Sequence, residues 1–258
     1  MIVFAGLVAH NPLLLKDKKF EQSQSAMGFA LLRKALAASN AEVILIVSEH
    51  ARMFEKKYAV FNSPTLTPQL KSFGVVHSGD ASYPTDVSFL SALHREQIAE
   101  HLSLQHVAEH ELDYGSALAL RLLGVSSTER IIVVGTTTNS IIDHAEIGTH
   151  LKEVFHSSPR RVAVLITGDA SHRHTSDSPA GFSEHALKFE TALIDAIEHR
   201  SVAALTKLVH EFSDAEECVS KALGVGFGLL RRFPANVRIL SHEVRYGVGL
   251  INAILFSE

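Results

Sequence analysis

The 258-residue chain has no tryptophan and a single cysteine, Cys218. One cysteine cannot build an intrachain disulfide framework, which suits a reducing compartment and makes a cytoplasmic location the expectation. No apolar run reaches 18 residues, so no membrane span is expected. The opening MIVFAGLVAHNP lacks a basic stretch and a small-residue cleavage site, so it does not read as a secretory leader. The formal charge of −4 offers no basic excess for nucleic acid, and blocks of like charge are missing too. There is no GxSxG elbow and no P-loop, which argues against a serine hydrolase or a nucleotidase. GVGFG (224–228) lacks the third glycine of a dinucleotide fingerprint and follows a helical pattern. HVAEH (106–110) lacks the HExxH order and follows an extended-looking LSLQHV, so it reads as a solvated pair.

What is present is a hydrophobic chain, 46% apolar, carrying 16 histidines. That apolar content is enough for a sizeable core. Strand-like runs are expected at 2–8, 42–48, 103–107, 130–135, 161–167, 237–241 and 248–256. Helical patterns are expected at 23–39, 86–101, 115–124, 139–156, 184–199, 201–212 and 215–232, with a loop-rich stretch from about 50 to 85. Buried strands alternating with helices imply an α/β fold, a three-layer α/β/α sandwich around a mostly parallel or mixed sheet. No repeat and no linker breaks the chain, so residues 1–258 are expected to form one domain.

Four of the strand runs end in residues able to bind metal or move protons. FAGLVAH delivers His10, EVILIVSEH delivers Glu49 and His50, VAVLITGDASH delivers Asp169 and His172, and VRILSHE delivers His242 and Glu243. In open α/β sheets the functional crevice lies beyond the carboxyl ends of the strands. Two histidines and a carboxylate on one face of a metal leave the opposite positions open. That arrangement suits non-heme Fe(II), and the same residue types also suit Zn(II).

The segments AHNPLLL, IVSEH, GDASHRHTSDSPAGF and SHEVRYGVGL resemble, in this order, the signature segments of class III extradiol ring-cleavage dioxygenases and their Memo-like relatives. The resemblance implies metal ligands at His10, His50 and Glu243, with Fe(II) as the cofactor and Zn(II) as the alternative. It implies that His172 transfers protons without binding the metal, a task for which the imidazole pKa is suited. It also implies a small catechol-type aromatic substrate and O2 as partners, with no nucleic acid and no membrane, and relatives that often form homo-oligomers. Tyr114 stands where a second active-site histidine is expected; it can donate a hydrogen bond but is a poor base near neutral pH. Memo-like relatives can use a cysteine in the metal site, at the position that Glu243 fills here.

The other candidates have plainer expectations. Cys218 reads as an inert thiol in a helix, Asp169 as a loop-ordering carboxylate, and His242 as structural. Arg173 and His174 read as rim residues, and His144, His150, His156, His185, His199 and His210 as helix-surface or helix-end residues. GTTTNS (135–140) reads as the N-cap of the next helix through Asn139 or Ser140. Two rivals to ring cleavage stay open: a Zn(II) hydrolase using the same pocket, and a Memo-like metal-binding protein without turnover.

Overall fold

A computed structural model describes residues 1–74 and 82–258. Residues 75–81 of the expected loop, with Gly79, lie outside the described residues, as does the side chain of His156. In chain order the elements are β1 (Ile2–Val8), α1 (Gln24–Ala38), β2 (Val43–Ser48), β3 (Tyr58–Phe61), β4 (Thr65–Pro68), β5 (Tyr83–Pro84) and α2 (Val87–Glu100). There follow β6 (Leu104–Val107), β7 (Glu111–Leu112), α3 (Tyr114–Leu122), β8 (Arg130–Gly135), α4 (Ile141–Ser157) and β9 (Val162–Thr167). The chain closes with α5 (Ala186–Glu198), α6 (Val202–Glu211), α7 (Ser220–Leu229), β10 (Arg238–Arg245) and β11 (Val248–Ser257). The short strands β3 to β5 fall where the sequence suggested only loop. They are too short to show a period; β3 pairs with β6 and β8, and β4 pairs with β5 and β7.

Eight strands form one mixed sheet in the order β10-β11-β1-β9-β2-β8-β3-β6. Its centre, β1-β9-β2-β8, is parallel. The central strands VILIVS and VAVLIT are buried along their whole length, as strands covered on both faces must be. Successive side chains point to opposite faces. Val43, Leu45 and Val47 therefore pack with Phe89, Phe155, Phe189 and Leu193 from α2, α4 and α5. Ile44 and Ile46 pack with Phe29 and Leu32 of α1 and Leu118 of α3 on the other side. The result is a three-layer α/β sandwich. Each of these large side chains stabilises the fold by about 1.5–3 kcal/mol through burial. Among the described residues, no helix is long and apolar enough to cross a membrane.

Helix starts are fixed locally. Ser23 caps α1, Asp86 caps α2, and Ser140 with Asp143 makes a reciprocal capping box on α4. The same box settles the GTTTNS stretch as a helix start through Ser140. Helices α4 and α7 approach so closely that glycines are needed between them. A Cβ on Gly228 would lie 2.0 Å from the Ala145 carbonyl oxygen, and one on Gly148 would lie 2.1 Å from that of Val225.

Gly228→Ala is therefore expected to force the two helices apart and destabilise the protein by about 1–3 kcal/mol, the usual cost of overpacking. A urea unfolding midpoint equal to that of the parent would contradict this account of the crossing.

Candidate metal centre

The in-register pairing of the parallel strands builds the site. Val8 of β1 and Ser48 of β2 both pair with Thr167 of β9, so the three strands end in one row. Two residues beyond that row come His10, His50 and Asp169. The donor atoms of His10, His50 and Cys218 all lie within 4.8 Å of one another.

His10 is almost fully buried and is held from three sides. Its backbone N–H donates to Asp169 Oδ1 at 2.7 Å. Its Nδ1 lies 2.8 Å from Thr167 Oγ1, and that hydroxyl donates to the Gly115 carbonyl at 3.3 Å. With its one proton committed to Gly115, Thr167 must accept from His10 Nδ1–H. The lone pair of His10 therefore sits on Nε2, which faces Cys218 Sγ at 3.3 Å. Burial, reinforced by His50 and His172, holds the His10 pKa well below the ordinary imidazole range, so the ring stays neutral.

His50 is half-buried, and burial lowers its pKa too. Its Nε2 meets the Tyr114 hydroxyl at 2.7 Å, and its ring packs on Tyr114 with centroids 4.2 Å apart. Ser48 supports this corner by donating to Asp113 Oδ1, while Asp113 caps α3 through the Ser116 N–H. Burial pushes the Tyr114 phenol upward, followed by the charges of Cys218, Asp169 and Asp113, so it is a protonated donor near neutral pH.

Cys218 lies in the turn ahead of α7, not inside a helix. Its N–H donates to the Asp169 carbonyl at 3.2 Å. The backbone there runs so close to the end of β9 that a Cβ on Gly168 would lie 2.5 Å from the Cys218 carbonyl oxygen. Burial raises the Cys218 thiol well above its ordinary range, with Asp169 adding to the effect. The Asp169 carboxyl is likewise pushed up by burial, to about 6, against the His10 N–H bond that favours its ionised form.

His172 stands at the accessible edge. Its Nδ1 donates to the Glu216 carbonyl, and its Nε2 faces Cys218 Sγ at 4.0 Å, an acceptor in the neutral ring. His50, Tyr114 and His172 are partly exposed while His10, Asp169 and Cys218 are buried, so the cluster opens on the first three. Phe73 adds an aromatic wall, its ring 5.0 Å from that of Tyr114.

Glu243, expected as the third ligand, does not join the histidines. Neighbouring strand residues point to opposite faces, and on β10 this sends Glu243 toward α1 and His242 toward α5. Glu243 Oε2 accepts from the Ser25 N–H and hydroxyl, each at 2.9 Å, and its other oxygen pairs with Arg245 at 2.8 Å. Cys218, read from sequence as inert, occupies the place beside the histidines. The expected helix 215–232 begins only at Ser220, and this offset hid the cysteine.

Other histidines also found unexpected partners. His144 is fully buried, accepting from the Thr137 N–H and donating to the Ser140 carbonyl. His174 is not on the rim: with His242 it brackets the fully buried carboxylate of Glu190, His174 Nε2 lying 2.5 Å from Oε1. Arg173 holds the loop through the Asp214 and Phe182 carbonyls.

The donors fit a metal ion. Tetrahedral zinc with nitrogen bonds near 2.0–2.1 Å and a sulfur bond near 2.3 Å sets its ligands roughly 3.3–3.6 Å apart. The 4.8 Å limit on the separations here puts the three donors within about 1.5 Å of those distances. Neutral imidazoles and a sulfur suit zinc, copper or iron over calcium or magnesium.

The family described as the catalytic LigB subunit of aromatic ring-opening dioxygenase matches residues 5–255. The chain belongs to this family. Its members bind a metal, and the His10, His50 and Cys218 cluster lies wholly within the matched span. Protein CA_C1420 of Clostridium acetobutylicum is 21% identical over 263 residues, covering 94% of this chain and 55% of the other. This chain thus spans about half the length of that relative. The crystal structure of uncharacterized protein JW3007 from Escherichia coli K12 superposes with a TM-score of 0.65 at 15% identity, over 98% of both chains. That likeness concerns the fold.

The His242–Glu190 pair gives the protein a definite pH dependence. The hydrogen bond to Glu190 raises the His242 pKa, with burial opposing it. A raised folded pKa means the stabilisation is complete below the unfolded value of about 6.5 and is lost as pH rises through the folded value. The melting-temperature gap between the parent and His242→Gln should therefore be widest near pH 5.5 and shrink toward pH 9. A gap that is constant or grows with pH would contradict the pairing.

Proposed function

We propose that this protein is a non-heme Fe(II)-dependent extradiol dioxygenase that opens the ring of a catechol-type diol, holding its metal on His10, His50 and Cys218. Membership of the ring-opening dioxygenase family supports the reaction class. The observation that carries the reading is the open edge of the cluster, where a proton acceptor, a phenolic donor and an aromatic ring stand together. Two neutral imidazoles and one thiolate offer the same ligand charge as two histidines and a carboxylate, and three protein ligands leave positions free.

When bound, Fe(II) would supply the electron transfer between diol and dioxygen. The chain's own groups do the rest. Phe73 and Tyr114 give the flat ring of the substrate a stacking surface. His172, its Nδ1 held by the Glu216 carbonyl, presents Nε2 to accept the proton of a substrate hydroxyl and later return it. With His50 engaged by the metal, the Tyr114 hydroxyl that faces its Nε2 would be released to donate a hydrogen bond to a substrate oxygen without giving up its proton. Thr167 keeps His10 in the tautomer that presents Nε2, and Asp169 anchors the His10 backbone. On this reading residues 1–258 work as one domain in the cytoplasm, where a reducing environment keeps Cys218 from oxidation.

Cys218 specifically favours a second reading. Sulfur is a common zinc ligand, and a Zn(II) centre would serve hydrolysis, with His172 taking a proton from the attacking water.

The test is protein loaded anaerobically with Fe(II), then exposed to oxygen with catechols and protocatechuates. Dioxygen uptake matched by ring-opened product is expected, and His172→Ala should lower turnover by about 10²–10⁴-fold while keeping its metal. Inertness of the iron form toward the whole panel would contradict ring cleavage. Hydrolytic activity of the zinc form would then select the second reading, and inertness of both forms a Memo-like metal-binding protein.

A further inference from the structure

The first turn of α7 leaves four backbone N–H groups without partners inside the helix, those of Val219, Ser220, Lys221 and Ala222. Two carboxylates take all four. Glu217 Oε2 accepts from Val219 at 2.6 Å and from Ser220 at 2.8 Å. Glu49 Oε1 accepts from Lys221 at 2.8 Å and from Ala222 at 3.3 Å. Glu217 is local to the helix. Glu49 comes from the end of β2, 172 residues away in sequence.

The neighbours of these two residues matter. Glu49 immediately precedes His50, and Glu217 immediately precedes Cys218. The helix end thus ties the His50 segment directly to the Cys218 segment. On its other side the Cys218 segment is tied to β9 by the Cys218 N–H bond to the Asp169 carbonyl.

We propose that Glu49 is a positioning residue for the metal centre: by gripping the α7 N-terminus it holds His50 and Cys218 at ligating separation. This rests on the reading of His10, His50 and Cys218 as one metal-binding triad. What the task requires is reach and an accepting oxygen at the end of a two-methylene arm. A glutamine keeps both, whereas an aspartate keeps the charge and loses the reach.

The experiment titrates the metal-free, full-length protein with Co(II), reading the thiolate-to-cobalt absorption band, and records the thermal midpoint of each metal-free variant. The parent should show a band that Cys218→Ser lacks. Glu49→Gln should bind Co(II) as the parent does. Glu49→Asp should bind about 10–100-fold more weakly with an altered band, the usual cost of losing an outer partner of a metal ligand. Glu217→Asp, which shortens the other arm of the grip, should act in the same way. If the parent shows no thiolate band, the triad reading fails and the proposal fails with it. If the parent shows the band and Glu49→Asp matches it in affinity and spectrum, the triad stands and the proposal is overturned. The proposal is equally overturned if Glu49→Gln falls as far as Glu49→Asp, or if the thermal midpoint alone changes.

Discussion

Three parallel strands that stop in one row set the terms for everything at this end of the molecule. Val8, Thr167 and Ser48 lie side by side through backbone hydrogen bonds, so the residues two places further on leave the sheet from one line. That register follows from strands whose side chains are buried on both faces. A one-residue slip would send every side chain of a strand to the opposite layer. The apolar pattern that builds the core therefore also decides that His10, His50 and Asp169 share one neighbourhood.

The polar groups placed there must be satisfied inside a mostly apolar surround. The chain does this with short connected sets: His10 to Thr167 to Gly115, Ser48 to Asp113 to Ser116, and His172 to Glu216. The first and last sets have a directional consequence. Backbone carbonyls can only accept, so protons point outward and the nitrogen lone pairs of His10 and His172 point in, toward Cys218. Burial keeps the His10 ring neutral, which is the form a metal binds. A bound cation would reverse the pressure that now keeps the Cys218 thiol protonated.

Much of the fold was legible because it rests on apolar period and length. The runs EVILIVS and VAVLIT have no exposed face, and their ends mark where histidines and acids gather. The limits are equally physical. The start of α7 is capped by Glu217 together with Glu49 reaching across from β2, and that second contact is a tertiary one that no local pattern records, so the cysteine just ahead of the helix was hidden in an expected longer one. His242 and Glu243 are adjacent in sequence but face opposite layers, and the acid is spent on Ser25 and Arg245 at the start of α1. Fully buried His144 lay on a helix whose histidine spacing showed no preferred face. Nothing in the sequence signalled the Glu190 bracket, which brings together residues from the loop after β9, from α5 and from β10.

The central claim is the composition of the metal shell: two imidazoles and one sulfur. X-ray absorption on the zinc-loaded protein tests it most directly, because sulfur scatters distinctly and sits farther from the metal than nitrogen. The account predicts one sulfur at about 2.3 Å with nitrogen ligands at about 2.0–2.1 Å, and loss of the sulfur shell in Cys218→Ser. A shell of nitrogen and oxygen alone in the parent would contradict it.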